Sequence, residues 1–328
     1  MKIGLVGLGN WGTALAQHCA ECGYDVLGVS NNPLVVEGIN RQHYNPVCLK
    51  DFKLNSRLRA TGNIQDVEKC DLIILALPAK ALANAMKGFS PCRTSILVSA
   101  IKGLEPVTLS TPLQYLSSCL GADRLLAVIS GPSFAKDLVQ GLPLGLVVAS
   151  KELSTSELVA RALTANRVKC YTSTDPVGVE LGGIAKNVIA IAAGVNDAIG
   201  LGESARAGLI TRGLAEITRL AVAYGADART LAGLSGLGDL VLTASSTASR
   251  NYSVGFRLGK GESLEQILNS LGSTSEGVFT APILLKLASE KMVDMPIAKA
   301  VSALIAGTVS PQQLISDLVT RPIKSELH

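Results

Sequence analysis

At 328 residues the chain is long enough for two domains, each burying a core of its own. An apolar fraction of 48% with only 17% charged and 4% aromatic residues excludes long disorder and requires an interior built mainly from Ala, Leu, Val, Ile and Gly. Thirty Lys and Arg against 26 Asp and Glu leave a net charge of +4, and without a basic run or an RNA-binding signature this excludes a nucleic-acid partner and favours small anions.

The N-terminal MKIGLVGLGNWG has glycines where an export signal needs an unbroken apolar stretch. No run reaches the roughly 18 consecutive apolar residues of a membrane span, so none is expected. The seven cysteines, Cys19 to Cys170, do not have the even, tight spacing of a disulfide scaffold, which fits a reducing cytoplasm. Cys19 and Cys22 form one CxxC inside a predicted helix, with no second pair to complete a zinc site, so no metal is expected.

Apolar, β-branched runs at residues 3–6, 25–29, 72–76, 95–98, 125–129 and 145–148 alternate with helix-like stretches. Buried strands joined by such crossovers imply a parallel sheet with helices on both faces. The first half therefore reads as a doubly wound, Rossmann-type α/β domain, residues 1–175. Residues 40–61 interrupt the rhythm with a polar, turn-rich segment of a length that marks functional or mobile loops. Past Pro176 the strand signal fades and Ala-rich helical stretches take over at 179–198, 207–224, 264–269, 280–290 and 297–307, which predicts an all-α domain over residues 176–328.

Gly7-Leu8-Gly9-Asn10-Trp11-Gly12 is a GxGxxG set between the first strand and a helix. Gly7 permits the tight turn, Gly9 lets backbone approach a pyrophosphate, Gly12 lets helix and strand pack closely, and the free N–H groups of the helix start attract phosphate charge. A bare turn would need only the glycines; the surrounding βαβ context points to a dinucleotide, NAD or NADP. At the end of the second strand Ser30, Asn31 and Asn32 stand where NAD sites carry a carboxylate and NADP sites an Arg nearby. Neither is offered and nothing there repels a 2′-phosphate, so the strand end selects neither form and tolerates NADPH.

Hydride transfer at a carbinol carbon also needs a group to move the hydroxyl proton. Of the three histidines, His18 lies in the first helix, His43 in the long loop and His328 at the end of the chain, leaving His43 as the only site candidate, with an exposed loop histidine as its ordinary alternative. Lys186 and Asn187 sit in a helix that is apolar almost all round, and Lys186 shares a face with Gly182, Ala190 and Ala193, small residues that leave room for a ligand. A snorkelling lysine is the alternative, but no carboxylate stands four residues away on either side. Removing water from an amine favours its neutral form, the form a general base needs. Lys102 follows the 95–98 run at its carboxyl end, the edge facing the ligand crevice in such sheets. Ser130-Gly131-Pro132-Ser133 occupies the same edge as either an oxygen-binding turn or a plain N-cap. Ser249-Arg250-Asn251 follows a Gly- and Ser-rich passage containing Asp239; Arg250 is either a phosphate ligand or a solvated surface residue.

Taken in order, GLGNWGTALA (7–16), KGLE (102–105), SGPSFA (130–135), GVELGGIAKNVIAIAAG (178–194), LITRGLAE (209–216), GLGDLVLT (236–243), SRN (249–251), EGV (276–278) and MPI (295–297) resemble the motifs of the bacterial, soluble NAD(P)-dependent glycerol-3-phosphate dehydrogenase family, nearly end to end. The resemblance implies a Rossmann domain followed by a helical substrate domain. It also implies interconversion of dihydroxyacetone phosphate and sn-glycerol 3-phosphate, a step feeding glycerophospholipid synthesis. Carried to matching positions, it makes Lys186 the proton acceptor and puts Lys102, Gly131, Ser133, Asn187, Asp239, Ser249, Arg250 and Asn251 around a phosphorylated triose. Asn10, Trp11, Ala135 and Glu276 would join Gly7, Gly9 and Gly12 on the dinucleotide, and Lys102 and Arg250 would reach both ligands. Ala79 after Pro78, the absence of proline at Leu49-Lys50 and Leu54-Asn55, and Ser204 depart from the family pattern. A chain of this size is expected to form a homodimer. The competing readings are a related two-domain β-hydroxyacid dehydrogenase and a dinucleotide sensor without catalysis, which would not need Lys186.

Overall fold

The computed structural model describes residues 1–165, 167–271, 275–319 and 325–326. Eight strands, β1 (Lys2–Val6), β2 (Asp25–Val29), β3 (Leu58–Thr61), β4 (Leu72–Leu75), β5 (Ile96–Ser99), β6 (Leu126–Ser130), β7 (Leu144–Ala149) and β8 (Val168–Ser173), form one sheet in the order β3-β2-β1-β4-β5-β6-β7-β8. Helices α1 (Asn10–Glu21), α2 (Pro33–Glu37), α3 (Ala79–Ala85), α4 (Pro112–Leu120), α5 (Ala135–Val139) and α6 (Leu153–Leu163) connect the strands. They are followed by α7 (Pro176–Ala198), α8 (Glu203–Ala223), α9 (Ala228–Leu231), α10 (Asp239–Ala244), α11 (Arg250–Gly259), α12 (Leu264–Leu271), α13 (Glu276–Glu290), α14 (Pro296–Ile305) and α15 (Pro311–Val319).

The central strands are apolar on both faces because helices cover both. Ile3, Leu5, Leu72 and Ile74 join α1 and α6 residues in one core, while Val6, Ile73, Leu75 and Leu97 join α3 and α4 residues in the other. β1 lies between β2 and β4, so the connections leave it towards opposite sides, and its carboxyl end is the switch point where such sheets bind ligands. The doubly wound α/β half followed by helices is as the sequence predicts.

Two local expectations are corrected. The sheet is not wholly parallel, since β7 runs antiparallel to β6, with Ile129 opposite Val148. An apolar run buried on both faces carries no mark of direction, so the sequence could not show this reversal. Residues 40–61 are not one loop: a π-helical turn (Gly38–Gln42) opens the segment and β3 closes it. Nor does the stretch between hang loose. The buried Asn45 amide donates to the Leu8 carbonyl at 3.0 Å and to Thr13 Oγ1 at 2.9 Å, while its oxygen accepts from the N–H groups of Val47 and Cys48. Helix α7 is long and apolar enough to cross a membrane, with a mean hydropathy of 1.4 in its most apolar window, but 94% of that window is buried inside the protein. Its apolarity is that of a core helix.

By its internal packing the chain divides into a unit of residues 1–183 with 229–239 and a unit of residues 184–228 with 240–328. The sequence places the division at Pro176, where α7 begins. In the structure the first two turns of α7 pack with the sheet, Val179 entering its core, and the division falls within the helix. Among the described residues of the second unit every regular element is a helix. Within it α7 and α11 meet backbone to backbone: a Cβ on Gly255 would lie 1.9 Å from the Ile191 carbonyl oxygen, and one on Gly194 would lie 2.1 Å from that of Tyr252.

Candidate active site

In the first unit the glycine loop leaves β1 with Gly7 at φ +101°, a conformation open to glycine, and a Cβ there would meet the Ala76 carbonyl oxygen at 2.6 Å. Gly12, the first-turn glycine of α1, is packed so closely that a Cβ would lie 1.8 Å from the Gly7 carbonyl oxygen. Gly9 is the opposite case. It is exposed, its φ of −73° is ordinary, and a Cβ there would meet nothing within 4 Å, so the space over it is open. Gly9 caps α1 without a side chain, no acidic residue stands in the first turn, and Asn10 and Trp11 begin the helix. A bare helix start beside an open glycine fits a pyrophosphate, so the chain's own residues accommodate the dinucleotide that the motif implies.

At the carboxyl edge of the sheet, past β5, Lys102 Nζ donates to Asp239 Oδ2 at 2.6 Å and to the Gly131 carbonyl at 3.5 Å. Asp239, only 1% exposed, belongs to the segment that returns from the helical half of the sequence to the sheet unit, so this ion pair joins residues 137 apart in sequence. The Lys102 side chain keeps 21% exposure. Ser133 Oγ donates to the Gly131 carbonyl at 3.1 Å, and Ala135 opens α5. Ser130 Oγ is buried with no hydrogen-bond partner, and a Cβ on Gly183 would come within 2.8 Å of it.

In the second unit Lys186 is 5% exposed and its Nζ donates to Thr243 Oγ1 at 2.7 Å. Thr243, on α10, is a partner that the sequence does not single out, although its hydroxyl stands in GLGDLVLT. Asn251 Nδ2 donates to Asn187 Oδ1 at 2.8 Å, while its own Oδ1 accepts from Ser275 Oγ at 2.6 Å and the Gly277 N–H at 2.9 Å. Asn251 thus ties α7, α11 and the start of α13 together. Ser249 caps α11 by accepting from the Tyr252 N–H, Arg250 follows as its exposed first residue, and Glu276 is the half-buried first residue of α13.

The predicted residues therefore fall into two sets. Lys102, Asp239, Gly131 and Ser133 are joined within the sheet unit, and Lys186 with Thr243, and Asn187 with Asn251, within the helical unit. Among the histidines, His18 is buried with Nε2 2.7 Å from the Leu163 carbonyl oxygen, and His43 ends the π-helical turn at φ +54° with a buried, unpartnered Nδ1. Among the described residues no group of three His, Cys, Asp or Glu side chains could hold a metal ion.

A Rossmann-type unit with an open glycine cradle, followed by a helical unit carrying a buried lysine, defines a nicotinamide-dinucleotide oxidoreductase of the two-domain type. Sequence models of the N-terminus and C-terminus of NAD-dependent glycerol-3-phosphate dehydrogenase match residues 2–156 and 175–316. The glycerol-3-phosphate dehydrogenase [NAD(P)+] of Maricaulis maris is 44% identical over 327 residues, covering 99% of this chain and 98% of that protein. The crystal structure of glycerol-3-phosphate dehydrogenase from Coxiella burnetii superposes with a TM-score of 0.92 at 32% identity, covering 98% and 99% of the two chains. D-mandelate dehydrogenase, with a TM-score of 0.64 at 12% identity over 96% of this chain and 99% of that one, shares the fold alone. The chain belongs to the NAD-dependent glycerol-3-phosphate dehydrogenase family.

Proposed function

We propose that this protein interconverts dihydroxyacetone phosphate and sn-glycerol 3-phosphate with NAD(H) or NADP(H), with Lys186 carrying the proton. The observation that carries the reading is the amine of Lys186, buried in an apolar helix and directed by Thr243 at 2.7 Å. A bound nicotinamide dinucleotide supplies hydride acceptance and donation. The residues of the chain do the rest. In the oxidative direction Lys186 takes the proton from the C2 hydroxyl; in the reductive direction its ammonium returns a proton to the ketone oxygen. Donation of one N–H to Thr243 fixes the direction of the amine, which proton transfer requires. The triose phosphate brings two negative charges; Lys102, held by Asp239, and the exposed Arg250 are the cations assigned to it, Arg250 by its planar fork. Gly131, Ser133, Asn187, Ser249 and Asn251 complete the substrate set, and Gly7, Gly9, Asn10, Trp11, Gly12, Ala135 and Glu276, with Lys102 and Arg250, the dinucleotide set.

The enzyme works in the cytoplasm, as a homodimer, at the entry to glycerophospholipid synthesis. Support for a reducing compartment comes from its seven cysteines, all of them free thiols. Family membership supports the pathway, and dimers are the commonest assemblies. The test is spectrophotometric reduction of dihydroxyacetone phosphate with NADH and NADPH in parallel. Turnover with at least one is expected; no turnover with either refutes the reading, and oxidation of 3-hydroxyacids in its place supports the β-hydroxyacid alternative.

A further inference from the structure

We propose that Glu37 and Arg41 form the element by which this chain accepts both forms of the dinucleotide, Arg41 binding the ribose 2′-phosphate and Glu37 the unmodified 2′-hydroxyl. The two side chains line a cleft of about 530 Å³ with Ser30, Asn31, Pro33, Asn40 and Gly62. That cleft opens at the carboxyl ends of β2 and β3, since Ser30 follows the one and Gly62 the other, and Ser30 N–H donates to the Thr61 carbonyl between them. In a Rossmann sheet this end of the second strand receives the adenosine ribose. The strand end itself offers Ser30 and Asn31, whose hydroxyl and amide suit either form of the sugar and discriminate against neither, while Asn32 is taken up in capping α2.

Discrimination comes instead from the π-helical turn. Spacing alone hides Arg41, which lies far beyond the usual strand-end position. The turn brings it back, and Asn40 fixes the backbone beside it: Asn40 Nδ2 donates to the Ala60 carbonyl at 2.8 Å and its Oδ1 accepts the Ala60 N–H at 2.9 Å, so the turn is stitched to the free edge of β3. Arg41 then meets Glu37, one helical turn earlier, at 3.0 Å, with the two side chains 77% and 57% exposed. An ion pair so exposed is worth at most about 1 kcal/mol, so either partner leaves it readily. A phosphate dianion presents the guanidinium with a bidentate, doubly charged acceptor and displaces Glu37; a ribose hydroxyl offers Arg41 nothing comparable and donates to the Glu37 carboxylate instead. Opposite roles for the two residues follow.

The inference rests on the dinucleotide reading of the glycine loop, and direct binding separates the two. Adenosine 2′,5′-bisphosphate and adenosine 5′-phosphate, which differ only at the 2′ position, are titrated by calorimetry into the full chain. Loss of a charge-assisted contact in Arg41→Gln is expected to weaken the bisphosphate at least about tenfold and leave the monophosphate within about twofold. Glu37→Gln is expected to shift both in the reverse sense, tightening the bisphosphate and weakening the monophosphate. KM values for NADPH and NADH should follow the same pattern. Equal effects of Arg41→Gln on both nucleotides, or none on either, overturn the inference and leave the dinucleotide site standing; a wild-type protein that binds neither nucleotide overturns both.

Discussion

Glu216 on α8 is 2% exposed, and its carboxylate accepts the N–H groups of Ile297 at 2.8 Å and Ala298 at 3.3 Å, at the start of α14. Burial pushes its pKa up to about 7 from 4.5, outweighing the two N–H bonds and nearby Arg219, which pull it down. The folded protein therefore holds this proton more tightly than the unfolded chain. The corresponding stability is fully present below pH 4.5 and is lost as the pH rises through about 7. A shift of roughly 2.5 units corresponds to about 3 kcal/mol, a large share of a typical folding free energy. Glu216→Gln stays neutral at every pH but turns an NH₂ towards one of the two N–H groups, at a cost of about 1 kcal/mol. The variant should thus be slightly less stable than wild type below about pH 5 and about 2 kcal/mol more stable at pH 8. Urea unfolding followed by helical circular dichroism at both pH values measures the difference. If the gap between variant and wild type changes by less than about 1 kcal/mol across that range, the carboxylate ionises in the folded protein without the burial cost and the reasoning is refuted.

Lys186→Ala should lower kcat at least about 100-fold, while a titration of the single Trp, Trp11, by NADH returns an unchanged Kd; full activity would remove Lys186 from proton transfer. Thr243→Val deletes a charge-assisted bond of about 1.5–3 kcal/mol, so kcat should fall by roughly 10- to 100-fold, with Thr243→Ser restoring most of it. Gly9→Ala adds a methyl that touches no protein atom, so thermal stability should hold while NADH binding weakens. Gly12→Ala drives a methyl into the Gly7 carbonyl and should lower Tm first; equal behaviour of the two variants would contradict the cradle.

Much of the fold was legible because its signals are local. The inner strands, apolar on both faces, and the GxGxxG between a strand and a helix stand out within a few residues, as does a lysine alone in an apolar helix. The two strands that escaped notice are the two edges of the sheet. Leu58–Thr61 and Val168–Ser173 bury only alternate residues, so Arg59, Lys169 and Tyr171 dilute the apolar signal on which the others were recognised. Direction of pairing leaves no mark in an apolar run either, so the antiparallel course of β7 is not legible in the sequence.

The site divides the same way. The sequence offers Lys102, Asp239, Lys186 and Asn251 as candidates by residue type and family resemblance, but only the folded chain decided that Asp239 pairs with Lys102, that Lys186 donates to Thr243, and that Asn45 ties the long segment to Leu8 and Thr13. Periodicity and motif spacing are set by neighbours along the chain, so one sequence carries them. Which side chain meets which across 30, 60 or 130 residues is set by packing, where burial makes each unpaired polar group costly and leaves few arrangements that satisfy them all.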